Sequence, residues 1–427
     1  MSARRLAPVA AAALWSASPF ALADFSDWPA SVELSFERDP AHADTRLNPD
    51  GRIVDTPDPS TRAALRLQPK LDGGDVSLRA DLWAEWREED SISDGGRVFA
   101  QEAMLDLRFS PAVTVSGGVA PFRWGTAYVW NPSNPFPDEQ RNFTDRARTW
   151  RAPGTPQLGL EWTGSADTIG VYGVSYRPTT ALYGRPIDLD REPAVAVRWR
   201  HQFEAADLTL TFATPEREPF FGAALSATVS DQLELHAEAG VRGKRQTLLP
   251  VARDIPGPGG TVPLYTLERD DDAGRSLQWL VGGQYTTEGL TNVIVEFYRN
   301  GEGYSDREYD HLLDYADDAT ARLDDPLFGS AYAGYLAGAN ALTGMMRRNY
   351  GFVRLSRDRA IGDFDLRGYW RYGFDDGSSL GGVALIHPLG DSARVRANLE
   401  VYGGRADSET RLIPSRGSAV IALEMLF

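Results

Sequence analysis

The residues best suited to chemistry in this chain are arginines. Arg141, Arg146, Arg148 and Arg151 fall in one stretch, preceded by Arg123 and interleaved with Asp138, Glu139 and Asp145. Guanidinium groups gathered at one point bind carboxylates through paired, charge-assisted hydrogen bonds, and they draw anions towards an opening. The interleaved acids allow a second use, in which ion pairs pin the stretch in place. Both uses need the same residues, so both stand. Other chemistries find little to work with. There is no cysteine, which excludes a disulfide scaffold and any thiolate nucleophile or metal site. His42, His201, His236, His311 and His387 show no metal-ligand spacing, and a solitary polar role is the default for each. No Gly-x-Ser-x-Gly elbow exists, and the neighbourhood of His311, Asp310 and Asp314 is what an acidic stretch produces by chance. Gly95-Gly96 and Gly381-Gly382 sit in turns or strands and form no phosphate cradle. No cofactor, no metal and no nucleic-acid partner is expected, and the chain does not read as an enzyme.

The elements that must carry these arginines are strands. Residues 75–88 alternate Val76, Leu78, Ala80, Leu82, Ala84 and Trp86 against Ser77, Arg79, Asp81, Trp83, Glu85 and Arg87. That run exceeds the five or six residues typical of soluble strands and suits a tilted strand that spans a membrane. The same period of two recurs at 31–38, 62–68, 97–109, 112–120, 157–163, 168–177, 193–203, 206–214, 219–230 and 232–243. It continues at 276–288, 291–300, 348–358, 363–374, 378–388, 393–403 and 418–427. The count is about 18 strands, with 16 as the alternative. Links after even-numbered strands are brief, such as Ser110-Pro111, Glu204-Ala205 and Gly289-Leu290. Several links after odd-numbered strands are long: 39–61, 121–156, 178–192, 244–275 and 301–347. An even strand number with alternating short and long links predicts an all-β fold, a closed antiparallel transmembrane β-barrel with short periplasmic turns and long extracellular loops. A mean hydropathy of −0.35 is too polar for membrane helices but fits strands that show lipid only every second residue.

Strand parity then assigns the lumen. With the apolar face towards lipid, Arg79, Asp81, Glu85 and Arg87 point inward, as do Glu102, Asp106 and Arg108. Arg198, Arg200, Asp365, Arg367, Arg371, Arg394, Arg396 and Glu400 follow the same parity. Both signs occur in similar numbers, so bracing the wall is their first role and selectivity their second. Within 301–347, Leu312, Leu313, Tyr315 and Ala316 among many acids predict an amphipathic helix, and 331–346 is apolar enough to pack on the barrel mouth. The acids of this segment match no calcium-loop spacing and read as a solvated lid.

Residues 1–23 open with Arg4 and Arg5, run through an apolar stretch and close on Ala21-Leu22-Ala23, the pattern of a cleaved export signal. Its removal leaves 24–427 as one barrel domain and takes the formal charge from −16 to −18 through the two lost arginines. The space before the first strand is too small for a plug domain. The last strand places Ala419, Ile421, Leu423, Met425 and Phe427 on one face, an exposed apolar edge that only closure into a barrel protects.

This ending resembles the C-terminal signature strand of bacterial outer-membrane barrels, and the chain is similar to porin-like proteins of Gram-negative bacteria. Within that group it resembles poorly characterised families with a Trp-Gly-x-x-Tyr-x-Trp-Asn-Pro loop, here Trp124, Gly125, Tyr128, Trp130, Asn131 and Pro132. The resemblance implies an outer-membrane location, contact with its lipid, and delivery to the barrel-assembly machinery through the strand ending at Phe427. It implies diffusion of small hydrophilic solutes, with anionic ones the class the arginines would favour. The third loop of general porins folds into the lumen, which makes 121–156 the candidate constriction and Arg123, Arg141, Arg146, Arg148 and Arg151 its lining. The alternative is a non-transporting barrel, an assembly or interaction partner whose lumen is plugged by its loops. Solute and oligomeric state stay open.

Overall fold

The computed structural model describes residues 29–38, 44–54, 60–89, 95–122, 124–136, 153–176, 192–215, 218–258, 260–270 and 274–427. The proposed export segment and Arg123, Arg141, Arg146, Arg148 and Arg151 lie outside them. The strands are β1 (Ala30–Arg38), β2 (Ser60–Leu67), β3 (Lys70–Asp72), β4 (Val76–Glu89), β5 (Gly95–Ser110), β6 (Val113–Ala120) and β7 (Thr155–Thr163). Next come β8 (Asp167–Tyr176), β9 (Glu192–Gln202), β10 (Ala206–Ala213), β11 (Phe220–Ser230), β12 (Leu233–Arg242), β13 (Leu248–Gly257) and β14 (Gly260–Arg269). The last are β15 (Ser276–Thr286), β16 (Thr291–Arg299), β17 (Asn349–Ile361), β18 (Phe364–Gly373), β19 (Ser379–Pro388), β20 (Ala393–Gly403) and β21 (Gly417–Leu426).

All but β13 and β14 form one 19-stranded antiparallel sheet that closes on itself. β3 prolongs β2 along the same neighbour, β4, so the wall has 18 staves. Closure comes from β1, which pairs with β2 on one side and β21 on the other. Phe427 N–H donates to the Ala30 carbonyl at 2.9 Å, so the apolar last strand has no open edge.

Alternation decides which side is wet. In β1, Glu33 and Ser35 are buried, whereas Leu34 and Phe36 are each 47% exposed on the outside. Leu158, Val195, Phe221, Leu235, Val281, Val295, Trp370 and Ile421 carry the same outward exposure around the circumference. Such a continuous apolar band is untenable in water and is what lipid requires. Glu33, Asp81, Glu85, Glu238, Glu296 and Arg396, of the opposite parity, are buried on the inner side. Eighteen segments expected from alternation coincide with the staves to within a few residues, because the two-residue period is all a half-exposed strand needs.

The long-loop rim holds more structure than the sequence pattern conveys. β13 and β14 form a separate hairpin in the stretch read as a loop. Two helices follow β16: α1 (Asp306–Ala321) and α2 (Gly329–Ala341); α3 (Glu409–Leu412) precedes β21. α1 starts at a capping box, with Ser305 and Glu308 satisfying each other's backbone N–H groups. Its Leu312, Leu313 and Ala316 are buried against Tyr332, Tyr335 and Leu336 of α2, with Leu47 from the first loop, Tyr265 from the hairpin and Leu412 of α3. Each fully buried leucine there contributes roughly 1.5–3 kcal/mol. The loops thus share an apolar core of their own, a cap on one rim. Its acids are spent on pins: Arg46 binds Asp317 at 2.6 Å and Asp407 at 2.9 Å, and Arg52 binds Asp324 at 2.6 Å.

Candidate functional site

The connection after β6 turns into the barrel. Residues 121–122 and 124–136 run along the inner wall from β8 to β17, and three features of the wall receive them. The first is aromatic. Phe122, Trp124 and Phe136 pack on Tyr172, Val174 and Tyr176 of β8, Ala194 and Ala196 of β9 and Phe220 of β11. At the far end Trp130 stacks on Tyr298 of β16 at 4.9 Å and lies 6.1 Å from Tyr350 of β17.

The second feature is a pair of carboxylates. Glu238 of β12 accepts the backbone N–H groups of Thr126 at 2.5 Å, Ala127 at 2.7 Å and Ser133 at 3.3 Å, and the Ser133 hydroxyl at 2.8 Å. Glu296 of β16 accepts those of Tyr128 at 2.5 Å and Val129 at 3.1 Å, with His236 Nε2 3.0 Å away. Backbone donors that leave water need acceptors, and an ionised carboxylate is a strong one. The third feature is room. A Cβ on Gly240 or Gly222, paired in register on β12 and β11, would collide with the carbonyls of Pro132 and Ser133. A Cβ on Gly125 would strike the Glu238 carboxylate and Asn131 Oδ1. The Trp-Gly step of the loop motif is therefore where the wall carboxylate comes closest.

The rest of the inner wall carries paired charges. Glu85 takes Arg62 at 2.5 Å and Arg97 at 2.8 Å, and Asp81 takes Arg66 at 2.6 Å. Arg79 joins Glu102, and Asp106 at 2.8 Å. Arg198 meets Glu161 at 3.0 Å while lying over the Trp124 and Tyr172 rings, and Arg200 meets Asp207 at 3.2 Å. Arg394 pairs with Glu424 at 2.6 Å, and Arg396 with Glu33 at 3.3 Å. Arg367 is half-buried, in register between Ser356 and Ala384. Arg371 is fully buried and reaches Glu409 of α3 at 3.2 Å. Near the short-turn rim, Arg79, Asp106, Arg108, Thr114, Ser116 and Glu161 line a polar recess of about 260 Å³.

Sequence reasoning missed Glu238 and Glu296, whose loop partners stand more than a hundred residues away, and it left His236 solitary. Their inward parity was readable; their use was not. Among the described residues no group of three or more potential metal ligands occurs.

No protein-family model matches the chain, and no curated protein matches it. Among solved structures, OccAB4 of Acinetobacter baumannii superposes with a TM-score of 0.51 at 9% identity, over 94% of this chain and 97% of that one. The fold is porin-like. Two variants of the Rhodopseudomonas blastica porin align with a TM-score of 0.44 and 12% identity, over 94% of this chain and 99% of theirs. The porin-like barrel here has β6 and β7 joined by the inturned connection, and its longest link carries the helices of the cap.

Proposed function

We propose that the protein is an outer-membrane channel through which small hydrophilic solutes diffuse, with the connection 121–156 as its constriction. The observation that carries this is the division of the inner wall. One part is spent on holding residues 124–136, and the other presents Arg–carboxylate pairs to a wet lumen. A wall of paired charges offers donors and acceptors to polar solutes without a strong net field. Arg123, Arg141, Arg146, Arg148 and Arg151 are the proposed lining of the narrowest point, which would favour anionic solutes. Arg79, Asp81, Glu85, Arg198, Arg200, Arg367, Arg394 and Arg396 brace the wall and tune selectivity second, while Arg371, fully buried against Glu409 and the Gly344 carbonyl, braces alone. This reading makes the protein a channel and not an enzyme, delivered to the membrane through an export signal and the strand ending at Phe427.

The cap, with its own apolar core, supports a second reading: a barrel closed by its loops that serves as an interaction partner. Planar-bilayer recording separates the two. Discrete conductance steps from purified, folded protein are expected; their absence over repeated insertions selects the closed barrel. Replacing Arg141, Arg146, Arg148 and Arg151 together should move the ion preference away from anions, and an unchanged preference removes them from the constriction.

A further inference from the structure

Tyr350 stands where three parts of the molecule meet. On β17 of the wall it is fully buried, its ring 6.1 Å from Trp130 of the inturned loop and 6.5 Å from Tyr298, which Trp130 stacks upon. Its hydroxyl donates to Glu409 of α3 at 2.7 Å and accepts the backbone N–H of Arg347, just past α2, at 2.7 Å. Glu409 is itself fully buried. It accepts the Met346 N–H at 2.7 Å and Arg371 Nη2 at 3.2 Å, and its own N–H donates to Asp376 at 2.8 Å. Arg371, on β18 next in the sheet, lies over the Tyr350 ring at 5.6 Å and donates to the Gly344 carbonyl at 2.5 Å.

We propose that Tyr350 is an interlock: it couples the cap to the inturned loop, so that displacement of the segment 343–347 or of α3 is transmitted to Trp130 and the loop. The physical case rests on packing. A buried aromatic cluster has few alternative arrangements, so a ring fixed at its hydroxyl end by the cap also constrains Trp130, which lies tilted against it at 6.1 Å. Neither Glu409 nor Arg347 is among the loop's own partners, and Tyr350 reaches both sides. A ligand or partner that shifts the cap would thereby shift the loop without touching it, which is coupling in the thermodynamic sense. The interlock belongs to the fold and holds whether or not the lumen conducts.

The test is amide hydrogen exchange on the full-length protein in detergent, comparing wild type with Tyr350→Phe and Glu409→Gln. Tyr350→Phe keeps the ring beside Trp130 and removes only its two bonds to the cap, of which the Arg347 N–H retains Glu409 as an acceptor at 3.3 Å. Exchange of the 126–133 amides, which Tyr350 does not bond, should become about two- to tenfold faster, the range a net loss of one hydrogen bond covers. In a Trp130→Leu background, or Trp130→Phe if that protein does not fold, the same increment should vanish, because the link is already cut. Acceleration confined to 343–347, or increments that simply add in the double variant, overturns the interlock. Conductance from the same samples bears on the channel reading alone.

Discussion

The two parts of the inner wall use the same residue type in opposite ways. Glu238 and Glu296, on the part that holds the loop, spend their oxygens on backbone N–H groups. Glu85, Asp81 and Glu161, on the other part, spend theirs on guanidinium groups. A backbone donor belongs to any sequence, so the first arrangement grips a chain; a guanidinium belongs to the wall, so the second stiffens the barrel and leaves a polar surface. The neighbours agree with this division. Phe220, Tyr298, Tyr350 and Phe352 pack on the loop beside the gripping carboxylates, while Ser116, Thr114 and Arg108 surround the recess. A grip needs water excluded to be strong, and a diffusion path needs water retained.

The largest effect should come from Glu238→Ala. It strips an acceptor from three main-chain N–H groups and two hydroxyls, and buried donors left unmade cost about 1–3 kcal/mol each. The loop should leave the wall, with exchange at 126–133 rising on the order of a hundredfold and single-channel conductance increasing. Normal protection in this variant would mean that the aromatic contacts alone hold the loop, and the contrast between the two parts would fail.

Gly240→Ala attacks the same grip through space. The added Cβ meets the Pro132 carbonyl, backbone on both sides, so overpacking of about 1–3 kcal/mol is expected. The conductance change should have the same sign as in Glu238→Ala and be smaller. Gly117→Ala, on β6 and in ordinary contact with Leu158, is the control and should leave the conductance unchanged.

How far this was readable from the sequence depends on the range of the cause. The staves were legible because alternation is local, and α1 was legible because its apolar spacing is local too. The hairpin of β13 and β14 was not. Pro250, Pro256 and Pro263 argue against strands in a wide sheet, but a two-stranded ribbon has a free edge on each strand where proline is tolerated. The grip was illegible for the opposite reason. Nothing around Glu238 or Gly240 in the chain announces that residues 126–133 will lie against them. The loop motif marked one partner, Gly125, without its reason.

Acid should separate the cap from the barrel next. Burial raises the Glu308 carboxyl, but hydrogen bonds from Arg245 and Ser305 outweigh it and hold the group at about 2, against an ordinary 4.5. Burial also raises Asp318 and Asp375. Tyr265 and Arg322 outweigh it at the first, and Asn349 with the Arg348 N–H at the second, so both end below their ordinary range. For a lowered acid the stabilisation is complete above the ordinary value and is lost as pH falls through the folded one. Glu409 runs the other way. Burial raises it against the pull of Arg371, so its contribution is present in acid and is lost as pH rises through its folded value. Between about pH 5 and about pH 2.5, protection in α1 should fall while that around 343–347 holds. Uniform loss across both segments would show the cap melting as one body.

The smallest effect sharpens the comparison most, because it asks whether the charged part of the wall is separable from the grip. Arg79 is half exposed in the lumen, joined to Glu102 and Asp106 beside the polar recess. Arg79→Ala removes one positive charge and frees two carboxylates. Pairs this exposed contribute about 1 kcal/mol or less, so thermal stability should hardly move. The three-residue cluster goes from one net negative charge to two, and the reversal potential in a salt gradient should shift towards cations. Exchange at 126–133 should stay at the wild-type rate, since no bond of Arg79 reaches the loop. A faster loop in this variant would mean that the two parts of the wall act as one network. An unmoved reversal potential would mean that solutes do not pass along the paired charges at all, and the lumen would then be lined, in function, by the loop alone.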